Sequence, residues 1–155
     1  MDKSIKEIVR DLKDETNLFH LFEESDLEKI APYFERAKHP AGATVFKEGD
    51  PGDFIAFVKS GRLEVKKETE FQGKQIVLAQ MAKGSCLGEL ALFDEQPRSA
   101  TIEALVDTDL LILSKQSLDS FIEDYPALGI KILKGISRVL SLRLRQLADR
   151  LVVVF

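Results

Sequence analysis

Glu89 and Arg98 are the charged residues of this sequence whose surroundings suit chemistry. They lie in Gly84-Ser85-Cys86-Leu87-Gly88-Glu89-Leu90-Ala91-Leu92-Phe93, followed by Asp94-Glu95-Gln96-Pro97-Arg98-Ser99-Ala100-Thr101. A helix start just after a glycine presents unpaired amides and a positive dipole end, which together favour an anion. Gly88 lacks a side chain, so a ligand can approach the backbone closely. Nine residues beyond Glu89 stands Arg98, whose planar fork can grip two phosphate oxygens. Pro97 stiffens the approach to it, and Ser99 adds a hydroxyl and another amide. A carboxylate beside a phosphate is unfavourable unless it accepts hydrogen bonds from hydroxyl groups, and a ribose 2′-OH would supply one. The constellation fits a nucleotide with one phosphate and a free 2′-OH. The plainer alternative is a surface ion pair worth under about 1 kcal/mol, with Gly88 an ordinary turn residue.

Other chemistry has little to work with. The two histidines, His20 and His39, are nineteen residues apart, whereas zinc or non-haem iron sites need several convergent His, Cys or carboxylate ligands. Cys86 is the only cysteine, which excludes an intrachain disulfide and suits a buried, reduced thiol in a cytoplasmic protein. The 155 residues carry 22 basic and 26 acidic side chains, a net charge of −4. That balance argues against a broad nucleic-acid-binding face. Hydrophobic residues make up 45% and charged residues 31%, ordinary for one folded domain and unlike a disordered chain. The first residues lack the apolar block of a signal peptide, and no apolar run approaches a membrane span.

The elements that must position the site follow from periodicity. Within 1–36 the pattern is helical: Ile5, Ile8, Val9 and Leu12 share one face, Thr16 or Asn17 can cap a turn, and Ser25-Asp26-Leu27-Glu28 reads as a capping box. Pro32 shortens or distorts the helix that this box opens. Across 37–114 the period falls to two, with candidate strands at 43–46, 54–59, 62–68, 74–81, 99–104 and 108–113. Between them lie glycine-bearing turns at Gly42, Gly49, Gly52, Gly61, Gly73 and Gly84. Short strands at even spacing predict a sandwich, jelly roll or small barrel. From 115 to 155 the chain is helical again, with a break at Pro126 that can open a long helix to about Leu151. Leu133, Ile136, Leu140, Leu144, Leu147 and Leu151 form one stripe on it, beside Ile132, Val139 and Leu142. One stripe can pack on the barrel and the other then needs a partner.

Gly88-Glu89-Leu90-Ala91-Leu92 with Pro97-Arg98-Ser99-Ala100-Thr101 resembles the phosphate-binding cassette of the cyclic nucleotide-binding domain family, which includes catabolite-activator-type regulators and regulatory subunits of cAMP-dependent protein kinase. Gly42 to Asp50 and Phe54 to Val65 resemble the family's first strands and glycine-punctuated turn, and the likeness covers roughly 18–147. It implies an α+β fold: an antiparallel β jelly roll of about eight strands, with N-terminal helices and a long C-terminal helix. The chain would be a single domain over 1–155, with the cassette at 87–101. The resemblance further implies that Arg98 pairs with the cyclic phosphate of cAMP or cGMP and that Glu89 takes the ribose 2′-OH. Gly88, Leu90, Ala91, Ser99 and Ala100 would supply amides or wall contacts, and Arg143 of the last helix lies near where the base is capped. The plainer reading of Arg143 is a solvated helix residue.

The expected function is a non-catalytic receptor, without a bound cofactor or metal, that signals through its C-terminal helix and dimerises by it. Ending at Phe155, the chain leaves no room for a helix-turn-helix, so we expect no DNA contact and no membrane contact, and an unknown downstream protein. Two other classes stand beside this one. A metal enzyme on the same roll lacks ligands. A degenerate, ligand-free interaction module would have no need of both Glu89 and Arg98.

Overall fold

The computed structural model describes residues 4–71 and 73–154. Helix α1 (Ile5–Glu15) is capped by Ser4, whose hydroxyl accepts from Glu7 N while Glu7 reaches back to Ser4 N. A 3₁₀ turn, Asn17–Phe19, follows, with Thr16 Oγ1 accepting from Leu18 N. Helix α2 (Glu24–Ile30) ends in a 3₁₀ turn, Ala31–Tyr33, holding Pro32. The proline thus limits the helix as expected. The expected Ser25 box is corrected: α2 begins one residue before Ser25, and Asp26 is the acid that reaches back, accepting from Glu23 N at 3.0 Å.

Eight strands follow among the described residues: β1 (Glu35–His39), β2 (Thr44–Phe46), β3 (Phe54–Ser60), β4 (Arg62–Glu68), β5 (Gln75–Ala82), β6 (Cys86–Leu87), β7 (Thr101–Ala104) and β8 (Thr108–Ser114). They form two antiparallel four-stranded sheets, ordered β1-β8-β3-β6 and β2-β7-β4-β5. The eight-strand antiparallel roll with flanking helices is the expected fold. Two strands were not read from the sequence. β1 starts at Glu35, inside the segment expected to be helical, and β6 has only two residues. Gln72, part of one expected turn, lies outside the described residues.

Period-two alternation explains both hydrophobic cores. Ala56, Val58 and Leu110 join Leu63, Val65, Leu87 and Ile102 inside the roll. Ile55, Phe57, Leu111 and Leu113 face the other way, onto a second core built with the helices. β3 and β8 are therefore apolar on both faces, whereas the alternate face of β4 carries Glu64 and Lys66. Phe19 anchors the helical core, with its ring 5.4 Å from Phe22 and 5.5 Å from Phe57.

Two helices close the chain: α4 (Lys115–Asp124), capped by Ser114, and α5 (Pro126–Val154), with Pro126 as its first residue. Leu128, Ile132 and Ile136 of α5 are buried in the helical core, with Val139 and Leu140 packed against it. Gly135 makes this possible, because a Cβ there would stand 1.8 Å from the Leu18 carbonyl oxygen. The buried Asp26 carboxylate receives Lys131 Nζ at 2.7 Å and fixes α5 to α2. The leucine stripe is split by this docking: Ile136 is buried, while Leu133, Leu144, Leu147 and Leu151 are exposed. Beyond Arg143, every α5 position whose side chain is described is exposed.

Candidate functional site

Helix α3 (Glu89–Asp94) begins behind Gly88, whose φ of +87° caps it in the left-handed region. Glycine is required there on two grounds. L side chains rarely adopt that backbone, and a Cβ would meet Arg98 Nη1 at 2.4 Å and the Phe54 carbonyl oxygen at 2.9 Å. A cleft of about 200 Å³ opens here, lined by Gly88, Glu89, Arg98, Ser99, Ala100 and Arg143, with Val65, Met81 and Ile102 as its apolar wall. The structure therefore brings the expected residues Gly88, Glu89, Arg98, Ser99, Ala100 and Arg143 to one place. Leu90 and Ala91 continue α3, and their side chains lie outside the described ones.

Arg98 is only 3% exposed. Its backbone is pinned to the turn after β2: Arg98 N donates to the Asp50 carbonyl (2.8 Å), and Gly49 N to the Arg98 carbonyl (2.9 Å). Its guanidinium donates from Nη1 to the Gly88 carbonyl (3.0 Å) and from Nη2 to the Phe54 carbonyl (2.7 Å). Cζ sits 4.1 Å from the centre of the Phe46 ring and 4.6 Å from that of Phe54. Nε is buried without a hydrogen-bond partner. Burial pulls the guanidinium below the usual arginine range, opposed by nearby Asp53 and Asp50. No carboxylate forms an ion pair with it among the described residues. A buried cation whose Nε has no partner, and which forms no direct ion pair among the described residues, is what an anionic ligand would complete.

Glu89, also 3% exposed, pairs through Oε1 with Arg143 Nη1 from α5. Arg143 Nη2 donates to the Cys86 carbonyl at 3.0 Å. Oε2 of Glu89 has the Cys86 thiol 3.9 Å away, a weak contact that leaves acceptor capacity for a hydroxyl. Arg143 is thus not free in solvent. It reaches back into the cassette and holds the carboxylate. The Cys86 thiol is pushed up to about 12 by its burial, against the lowering effect of Arg143, so the thiolate nucleophile is unavailable at neutral pH.

Ser99 is exposed, and its carbonyl accepts from Lys67 Nζ (2.8 Å), which also pairs with Glu48 at 3.4 Å. Ala100 is buried inside the roll. Sequence reasoning missed Phe46 and Phe54. They lie 52 and 44 positions before Arg98, and only the pairing of β2 with β7 and the Phe54 carbonyl contact bring them to it.

A model of the cyclic nucleotide-binding domain matches residues 36–125, and this chain belongs to that family. It is similar to the cyclic AMP receptor protein of Thermus thermophilus, 31% identical over 129 residues that make up 83% of this chain and 57% of the relative. The cAMP-dependent protein kinase regulatory subunit of Aspergillus niger is 37% identical over 87 residues, 56% of this chain and 20% of that protein. The chain thus spans less than three fifths of the length of these relatives. Among solved structures, a cyclic nucleotide-binding domain from Methylobacillus flagellatus superposes with a TM-score of 0.84 at 27% identity, covering 95% of this chain and 82% of that one.

Proposed function

We propose that this chain is a non-catalytic receptor domain for a 3′,5′-cyclic nucleotide, cAMP in preference to cGMP, and that it signals through α5. The observation that carries the reading is the buried Arg98 guanidinium, with its Nε unpartnered and no carboxylate ion-paired to it among the described residues. A cyclic phosphodiester brings one negative charge to that one cation. The 5′-monoester AMP brings nearly two, leaving an uncompensated charge in a half-enclosed site. Glu89 Oε2 would accept the ribose 2′-OH, and Val65, Met81 and Ile102 would receive the base. Relatives named for cAMP support adenine, while the Ser99 hydroxyl keeps guanine in the comparison.

The Arg143–Glu89 pair supplies the coupling. A ligand that engages Glu89 changes the contact by which α5 is tied to the cassette, and differential affinity for two α5 positions suffices for a switch. No helix among the described residues is long and apolar enough to cross a membrane. We further propose a twofold homodimer through the exposed Leu144, Leu147 and Leu151 of α5, because burying one leucine gains about 1.5–3 kcal/mol. The single buried thiol suits a reducing cytoplasm, where an unidentified protein would read the change.

Calorimetry with cAMP, cGMP and 5′-AMP tests the reading. We expect heat for both cyclic nucleotides and at least tenfold weaker binding of AMP, equivalent to about 1.4 kcal/mol. Absence of heat at millimolar nucleotide would favour the alternative, a ligand-free dimerisation module. The observation on that side is that Arg143 already pairs internally with one of the two Glu89 carboxylate oxygens.

A further inference from the structure

We propose that Phe46 and Phe54 are positioning residues that hold the Arg98 guanidinium in place of a carboxylate and so keep its charge available to the ligand. The inference rests on the receptor reading and extends it to residues outside the cassette. The two rings meet edge to face, with centroids 6.0 Å apart and planes at 68°. They therefore form a corner, and the guanidinium carbon sits 4.1 and 4.6 Å from the two ring centres.

An arginine waiting for an anion in a buried cleft has to be fixed without being neutralised. A carboxylate would fix it, but would also compete with the ligand for the same charge. Aromatic faces attract the cation through their quadrupole and leave it a full positive charge toward the cleft. The Gly88 and Phe54 carbonyls then orient the fork, occupying Nη1 and Nη2 and leaving Nε free in the buried wall. Phe54 thus contributes both a ring and a carbonyl. Phe46 contributes only a ring, and the register of β2 against β7 shifts between Thr44 and Phe46. Such irregularities re-aim side chains relative to a regular ladder.

A structural role for Phe46 in the roll interior predicts a different result from a positioning role, and replacement by pentafluorophenylalanine separates them. That ring keeps its apolar bulk but reverses the quadrupole that attracts a cation. The experiment measures cAMP affinity by calorimetry in wild type, Phe46→Tyr, Phe46→Leu and the pentafluoro protein, each with Arg98 and with Arg98→Lys. The Arg98 Nε–H resonance of the ligand-free proteins is recorded in parallel. We expect Phe46→Tyr to bind within about twofold of wild type, and the leucine and pentafluoro proteins to lose about five- to twentyfold. In the Arg98→Lys background the same changes should cost less than about threefold, the mark of a residue acting through another. The Nε–H resonance should shift in Phe46→Leu through loss of the ring current. Undiminished affinity in the pentafluoro protein, equal losses in both backgrounds, or an unmoved Nε–H resonance would each overturn the proposal. A wild type that binds no cyclic nucleotide, yet whose Nε–H resonance still shifts in Phe46→Leu, would remove the receptor reading and sustain the corner.

Discussion

Arg98 and Glu89 share one cleft, are buried to the same degree, and are secured in different ways. Every contact that fixes the Arg98 guanidinium comes from the β-roll or the cassette: the rings of Phe46 and Phe54 and the carbonyls of Phe54 and Gly88. Glu89 is secured by Arg143, a side chain from α5. The cation is independent of the final helix, and the carboxylate is not. On the proposed reading, a site built this way would capture an anion with α5 in any position, while the hydroxyl-accepting side would register where α5 lies. That reading would assign affinity and signalling to separate residues.

The contrast is broken most severely by removing the cation. Arg98→Ala should cost about a hundred- to thousandfold in cAMP affinity, and Arg98→Lys should recover only a small part, because an ammonium cannot reproduce the fork. Calorimetry measures the loss, and an unchanged helical circular dichroism would show that α5 is unaffected.

Next comes the anchor that docks α5 independently of the cleft. Burial raises the Asp26 carboxyl, but the Glu23 amide and Lys131 outweigh it and hold the group below the usual carboxylate range. Its stabilisation is therefore present above the unfolded carboxylate pKa near 4 and lost as pH falls through the lower folded value. Lys131→Met should cost about 1–2 kcal/mol at pH 7, less than a fully buried pair because Lys131 is partly exposed. The difference in melting temperature from wild type should shrink as pH falls below the unfolded carboxylate pKa of about 4 and on through the lower folded value.

A smaller effect sharpens the contrast itself. Arg143→Ala should weaken cAMP binding by only about three- to tenfold. It should also speed amide hydrogen exchange in the second half of α5 without altering exchange in the turn around Gly49 and Asp50. Equal acceleration in both segments would show that the two sides of the cleft are not independent. The smallest effect on binding belongs to Leu144→Glu combined with Leu147→Glu. Light scattering should report a monomer where wild type is a dimer, with cAMP affinity within about threefold.

The parts legible in the sequence were those written in contiguous residues. Gly88, Glu89 and Arg98 lie within eleven positions, and each has a side-chain reason to be where it is. The inner strands showed because β3, β4 and β8 carry alternating or fully apolar patterns between glycine turns. β1 did not show: Glu35-Arg36-Ala37-Lys38-His39 is a polar edge strand, paired among the described residues only with β8 and without clear alternation. The Ser25 box failed because Asp26 serves both as the helix-start acid and as the partner of Lys131, and only the docked α5 reveals the second role. The pairing of Arg143 with Glu89 was not legible, since its reach depends on how α5 lies against the turn at Leu18. Phe46 and Phe54 carried no local signal at all. Their role is created by strand pairing across more than forty residues.

The close approach at Gly135 divides α5 mechanically. Up to Arg143 the helix lies on the body of the domain, with the Leu18 backbone against Gly135 as a bearing surface that resists sliding. The eleven residues from 144 to 154 then form an arm of about 16 Å at 1.5 Å per residue, and its described side chains are all exposed. A tilt of about 10° at Arg143 would carry its far end by about 3 Å, a displacement comparable to the radius of a leucine side chain. In the proposed receptor the arm would convert an angular change at a single ion pair into a translation large enough to separate or engage a row of leucines.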